Sequence, residues 1–255
     1  MEIGTNRKTT LAFKLLAMNP SAFGGIIFKG ATPEHTERIL NFFKITDVNL
    51  NKIFSNFSVT DLTGGIDPLE SLQKGYLAYR KGILSRPGWF SCTSINDMPK
   101  ALQSMLTNQM DNINLGPIIA FDDGSRKDEV APPKLCDRLA FSIDLTEVRF
   151  NQFSPDFCII NSSEITKAQI TEAQIQSVIV SAISFGIYEI RPAYMTINAA
   201  QYLATLDDRV VVEQKDLNLA ATLILAHRAL MIPEEIDDDQ KNEPQKENDE
   251  STNER

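Results

Sequence analysis

Cysteine and histidine are scarce in this chain. The three cysteines, Cys92, Cys136 and Cys158, stand far apart, with no C-x-x-C pair and no histidine nearby. That spacing excludes a zinc-finger or disulfide framework and leaves the role of small buried hydrophobes. The two histidines, His35 and His227, each stand alone, which suits structural or surface positions better than a metal site. No stretch approaches the ~18 uncharged apolar residues of a membrane span, and Glu2 is followed by no apolar signal core. A cytoplasmic location and no membrane span are therefore expected. Basic residues are also few, 25 against 34 acidic ones, for a formal net charge of -9. The segment Pro233 to Arg255 alone holds ten acidic and three basic residues, with Ile236 its one strongly apolar side chain. Such a segment cannot offset its ordering entropy and is expected to be disordered. The rest is nearly neutral with no basic stripe, so nucleic acid is not an expected partner.

What the chain does have is material for a core: 42% hydrophobic residues over 255 positions, enough for one or two domains. Leu11, Leu15 and Met18 fall at helical spacing and predict a helix over Thr9 to Met18, stopped by Asn19-Pro20. Ile26 to Phe28 predict a short buried strand, and Glu34 to Lys44 a second helix. An Asn-rich connection runs through Ser58, Gly64-Gly65 reads as a turn, and a short helix starts at Asp67 with Pro68 in its first turn. Gly88 to Cys92 and Pro117 to Phe121 predict strands on either side of an amphipathic helix over Asp97 to Met110. An exposed loop from Ser125 to Glu129, a helical turn at Pro133 to Leu139 and a strand at Phe141 to Leu145 follow. Strand and helix alternate, as they do around a parallel sheet. Beyond Pro155 only helices are expected: Ile165 to Phe185, Pro192 to Leu206, and Asp216 to Leu230 with Asp216 as N-cap. The expected organisation is an α/β core over 1–150, a helical domain over 151–232 and an acidic tail over 233–255.

The first strand leads into Gly30, which opens the frame of a phosphate-binding loop, G-x-x-x-x-G-K-[ST]. Its second glycine, lysine and hydroxyl positions are occupied by His35, Thr36 and Glu37. The glycine permits close backbone approach, the lysine reaches the β/γ-phosphates and the hydroxyl binds Mg²⁺, whereas Glu37 sets a carboxylate against those anions. The expectation is an ATPase scaffold that does not hydrolyse ATP. Asp67 and Glu70 read as the acidic start of a helix favoured by its dipole. Arg80, Lys81 and Arg86 read as a solvated face.

Several segments together resemble the AAA+ module of magnesium chelatase, and its D subunit in particular. They are Leu15-Leu16-Ala17-Met18-Asn19-Pro20 before Gly24-Gly25-Ile26-Ile27-Phe28-Lys29-Gly30, and Gly64-Gly65-Ile66-Asp67 before Gly82-Ile83-Leu84. Phe121-Asp122-Asp123-Gly124 leading to Ala131-Pro132-Pro133-Lys134-Leu135-Cys136-Asp137-Arg138 adds a third, and Asp216 to Arg228 a fourth. The resemblance covers about residues 9–232. It implies an AAA+ P-loop-type parallel sheet with a small helical lid, in a machine that inserts Mg²⁺ into protoporphyrin IX on the way to chlorophyll or bacteriochlorophyll. It also implies a ring oligomer whose partners are an ATPase I subunit and a porphyrin-binding H subunit. Mg-ATP would be held by the neighbouring I subunit, with no cofactor bound strongly by this chain. In that family the D subunit continues into an integrin-like domain with a D-x-S-x-S metal site, which is absent from this sequence. A divergent ATPase and a stand-alone adaptor are the competing expectations.

The same resemblance assigns roles to individual residues. If Gly88-Trp89-Phe90 precede the Walker B position, its acidic pair is replaced by Thr93-Ser94. Asp122-Asp123 imitate a Walker B by composition, but counting back from Asp137-Arg138 puts them near the sensor 1 strand. Arg138 matches a candidate arginine finger that reaches a neighbour's γ-phosphate in trans; the alternative is a surface arginine paired with Asp137 or Glu129. Arg191 matches sensor 2, with an interdomain salt bridge as the alternative. Gly30 remains as the vestige of the phosphate loop.

Overall fold

A computed structural model of the chain describes residues 3–46, 48–112, 115–124, 131–156 and 166–231. Among them seven strands form: β1 (Gly25–Lys29), β2 (Leu50–Ile53), β3 (Gly64–Asp67), β4 (Ala78–Lys81), β5 (Trp89–Cys92), β6 (Ile118–Asp122) and β7 (Phe141–Asp144). Five of them align side by side in the order β2-β5-β6-β1-β7, all parallel. The short apolar runs end up here because a parallel sheet is covered on both faces and needs side chains that can be buried on either side. Period-two alternation then divides them. Ile26, Phe28, Ile119, Phe121, Phe141 and Ile143 join one apolar cluster, and Ile27, Phe90, Cys92, Ile118 and Ala120 join the other.

Helix α1 (Thr5–Met18) covers the first face, where Phe13 stacks on Trp89 with ring centroids 5.7 Å apart and packs on Phe28. A one-turn helix α2 (Pro20–Phe23), N-capped by the Asn19 side chain, leads into β1. Between β1 and β2 lies α3 (Pro33–Ile45). Helix α4 (Val59–Thr63) precedes β3, and α5 (Pro68–Lys74) connects β3 to β4. Helix α6 (Lys100–Asn112) packs on the second face through Leu102 and Leu106, and α7 (Pro133–Cys136) precedes β7.

The chain then forms α8 (Glu172–Ser184), α9 (Ile190–Leu206) and α10 (Gln214–Ile224). Small residues Ala193, Ala199, Ala200 and Ala204 on α9 are buried, which allows neighbouring elements to approach closely. This helical unit shares the apolar cluster of the first sheet face, so no solvent layer separates the two. Polar links help to fix its position. Asn19 donates to the Tyr202 hydroxyl (2.9 Å), and Arg228 donates to the carbonyls of Leu139 (2.6 Å) and Ala140 (3.1 Å) just before β7. Burial pushes the Arg228 pKa down to about 10, while Nη1 also donates to Ile224 O (2.7 Å).

Five expectations require correction. The Asn-rich connection contains strand β2, paired with β5. Gly64-Gly65 is not a turn but the start of β3, paired antiparallel with β4 in a separate ribbon. Gly64 and Gly82 are needed there because a Cβ on either would come within 2.4 Å of backbone across the ribbon base. The helix expected from Ile165 starts only at Glu172, where Thr171 caps it; before that, Gln169 forms a parallel bridge to Val211, so the segment is not purely helical. Asp216 is not an N-cap. Glu213 holds that position and Asp216 is the third helical residue, whose carboxylate accepts from Glu213 N in a capping box. The last helix ends at Ile224, followed by a 3-10 turn over Ala226–Arg228. Asp67 does cap α5, accepting from Glu70 N at 3.0 Å. Cys158, the loop Ser125 to Glu129 and the tail from Pro233 lie outside the described residues.

Candidate functional site

At the C-terminal edge of β1 the link to α3 is three residues long, Gly30-Ala31-Thr32. In a phosphate loop, free amides at this point would converge on an anion. Here they already have acceptors within the chain. Ala31 N donates to Asp122 O (3.3 Å), Thr32 N to His35 Nδ1 (3.4 Å), His35 N to Thr32 Oγ1 (3.4 Å) and Thr36 N to Thr32 O (3.0 Å). Thr32 and His35 thus form a capping box, with Pro33 at the first helical position. Glu34 adds a carboxylate to the same helix start, held below its usual pKa by the Thr32 hydroxyl and its own amide. The helix end is thereby supplied with its own negative charge.

His35 occupies the position of the loop's second glycine, and its ring is 1% exposed. It packs edge-on against Phe153 at 5.3 Å and against Phe150 at 6.0 Å. Burial depresses its pKa, so the ring is neutral. Gly30 has φ +64°, and a Cβ there would lie 2.5 Å from Thr146 Oγ1 and 2.9 Å from Thr146 Cα. Its conformation and its lack of a side chain are both accounted for by the contact with the end of β7. Thr32→Ala should cost about 1 kcal/mol by removing the cap. A lowered denaturation midpoint at unchanged slope checks it.

The strand order separates the two candidate Walker B positions. β6 is the immediate neighbour of β1, and β5 lies one strand further out. Asp122 ends β6 opposite Lys29, while Thr93-Ser94 follow β5. The Asp122 carboxylate is already engaged, accepting from Asn96 Nδ2 (2.6 Å) and Gly124 N (3.0 Å). Asp123 accepts from Ser94 Oγ at 3.4 Å, and Ser94 has φ +52°. Among the described residues no three His, Cys, Asp or Glu side chains are grouped to hold a metal ion.

The arginines gather at the other end of the sheet. The backbone of Arg138 lies against Gly24, where a Cβ would come 2.2 Å from Arg138 O. Six residues of near-extended chain separate Gly24 from Gly30, roughly 20 Å at the rise of a strand. Arg138 therefore cannot serve the Gly30 loop of its own chain. Its guanidinium grips Asp111 at the end of α6 with two hydrogen bonds, Nε to Oδ1 (3.0 Å) and Nη2 to Oδ2, and donates a third to Lys134 O (2.6 Å). Arg191, in the first turn of α9, donates to the same Asp111 Oδ1 from Nη1 (3.2 Å) and Nη2 (3.3 Å) and lies 3.6 Å from Asp137. Both cations hold the Asp111 carboxyl below its usual pKa. Arg138 is thus paired with Asp111, not with Asp137, and Glu129 lies outside the described residues. Arg191 forms the interdomain salt bridge. Asp111 was missed in sequence because its partners lie 27 and 80 positions away, and nothing local marks it.

Residues 175–249 match the family described as AAA lid domain. The Magnesium-chelatase 60 kDa subunit of Rhodobacter capsulatus is 28% identical over 230 residues, 88% of this chain and 41% of that protein. The protein of the same name from Cereibacter sphaeroides is 25% identical over 243 residues, 92% of this chain and 43% of that one. The chain therefore spans about two fifths of the length of these curated relatives. The crystal structure of a proposed ATPase from Cytophaga hutchinsonii is 17% identical with a TM-score of 0.60, covering 86% of this chain and 81% of that one. The fold is an AAA+ α/β core with a helical lid. No described helix is long and apolar enough to cross a membrane.

Proposed function

We propose that this chain is the AAA+ portion of a D-type subunit of magnesium chelatase, a scaffold that hydrolyses no ATP itself and supports hydrolysis by a neighbouring I subunit. The observation that carries this reading is the self-capped, three-residue link after β1. Thr32, His35 and Glu34 fill the space and the amides that would hold phosphate. Arg138, at the opposite end of the strands and too far from the Gly30 loop of its own chain, would act on a nucleotide held by another subunit, where a cation neutralises charge developing on the γ-phosphate. The similarity to 60 kDa chelatase subunits supports the choice of complex. In that complex the ATP-driven step is insertion of Mg²⁺, here a substrate, into protoporphyrin IX carried by an H subunit. Ring assembly and a cytoplasmic setting follow from the same reading.

Co-purification with chelatase I and H subunits, with and without nucleotide, tests it. The chain should co-elute with the I subunit, and more strongly when nucleotide is present. Failure to associate in every nucleotide condition would exclude the chelatase assignment.

A further inference from the structure

Between α4 and β5 the chain builds an arm from β3, α5 and β4. Its local structure is complete. Asp67 caps α5, Gly75 ends it with φ +69°, Ala78 N donates to Ser71 Oγ (2.9 Å), and Arg80 pairs with Asp61 at 3.0 Å. Yet no residue of α5 is buried, and Ile66, Leu69, Leu72, Tyr76, Leu77 and Tyr79 are all exposed, Leu72 at 83%. So many large apolar side chains on one short arm exceed the scattered exposure of an ordinary surface and mark a contact site. Glu70 and Lys74 pair with each other, which leaves Lys81 and Arg86, both exposed, without an ion pair among the described residues.

A groove of about 600 Å³ runs along α3. Phe42, Ile45, Phe150 and Pro155 give it apolar walls, with Ile45 84% exposed. Arg38 also lines it, but its guanidinium is held against the wall, over the Phe150 ring (4.0 Å) and donating to the carbonyls of Phe150 (3.3 Å) and Phe153. Glu34 and Glu37 at the rim are exposed, and neither forms an ion pair among the described residues. The two surfaces are rooted on opposite faces of the sheet. Leu62 and Leu84, on either side of the arm, belong to the apolar cluster of the second face, whereas Ile39 and Phe43 of α3 belong to that of the first.

We infer that the arm of one copy of this chain docks in the α3 groove of a second copy, its apolar side chains against Phe42, Ile45 and Phe150 and its unpaired cations toward Glu34 and Glu37. Arm against arm would bring Lys81 and Arg86 onto like charges, whereas the groove offers carboxylates. Because the two surfaces differ, the contact is heterologous. Each copy keeps a surface free for another, so the series closes into a ring or runs on as a filament. The inference does not rest on the chelatase reading, since both surfaces belong to this chain.

Sedimentation velocity of the isolated chain at rising concentration tests it, and the unaltered chain should pass from monomer to larger species. Leu72→Asp blocks the arm. Ile45→Lys blocks the groove with a cation that suits a helix C-terminus. Both positions are exposed, so circular dichroism should be unchanged. Each variant alone should associate at least about tenfold more weakly. Their equimolar mixture should form a dimer with the affinity of the unaltered contact and nothing larger, because Leu72→Asp keeps its groove and Ile45→Lys keeps its arm. A chain monomeric at every concentration, association that survives either variant, or a mixture that stays monomeric would each overturn the inference. If either variant loses its fold, Glu37→Lys and Lys81→Glu take their place. Each alone should weaken association, the chain carrying both should regain it, and no recovery overturns the docking. No chelatase subunit takes part, so failure here and failure of the chelatase assignment are separate results.

Discussion

Arg138→Ala, placed in the assembled complex, should lower ATP-driven turnover by roughly 10²–10³-fold while leaving assembly intact. That magnitude is what removal of one preorganised charge-stabilising group from a transition state typically costs. The fold should tolerate the change, because Asp111 keeps Arg191 as a partner and is 36% exposed, so no charge is stranded in the interior. Arg138→Lys separates charge from geometry. It retains the cation without the two-pronged fork and should recover only part of the lost turnover. Steady-state ATPase measured with the I subunit in excess reads both variants, and unchanged turnover in Arg138→Ala would remove the trans role.

The second large effect concerns the lid. Asp216 is 2% exposed and accepts from Arg209 Nη1 (2.7 Å) and Nη2 (2.6 Å) and from Glu213 N (2.8 Å). Asp216→Ala removes the buried partner of Arg209, which keeps Asp207 at 3.0 Å and Glu213 at 3.6 Å, and takes away one half of the α10 capping box, for an expected loss of about 2 kcal/mol. Urea unfolding measures it directly, and a loss under about 1 kcal/mol would mean the pair behaves like an exposed one. Burial alone would raise the Asp216 pKa, but its bonds to Arg209 and Glu213 outweigh burial and hold it low. A depressed carboxylate pKa contributes stability above the unfolded-state value, about 3.9, and that contribution is lost as pH falls through the folded-state value. His35 acts earlier in the same titration. Its buried ring stays neutral while the unfolded chain takes up a proton near pH 6.5, so stability declines below about that pH. Acid unfolding should therefore begin above the carboxylate range, and His35→Gln should delay its onset.

The parts of the fold legible in sequence were those with strong periodicity or complete burial. The runs at Ile26 to Phe28 and Ile118 to Phe121 are apolar on both faces because both lie within the sheet, and the α9 segment carries its small residues at helical spacing. Strand β2, Leu-Asn-Lys-Ile, was unreadable because it lies at the sheet edge and only Ile53 is buried. The β3–β4 ribbon was hidden for a related reason. Its side chains Ile66 and Tyr79 are exposed, and its glycines serve close backbone approach at the ribbon base, so neither burial pattern nor turn chemistry announced a strand. At the site, the loss of the phosphate-loop residues could be read position by position. What replaced them could not, since a capping box involving His35 has no established spacing signal of the S-x-x-E kind. The meeting of Arg138 with Arg191 was equally hidden, because it depends on how the lid docks through Arg228 and Tyr202.

In the function proposed, one end of this chain is closed to nucleotide while the other offers arginines to a neighbour. Calorimetric titration of the isolated chain with Mg-ATP, paired with a phosphate-release assay, tests the first half most directly. No micromolar binding and no turnover above background are expected, since the amides around Thr32 and His35 are already occupied. Micromolar binding with steady phosphate release would contradict it and restore the reading of a divergent ATPase.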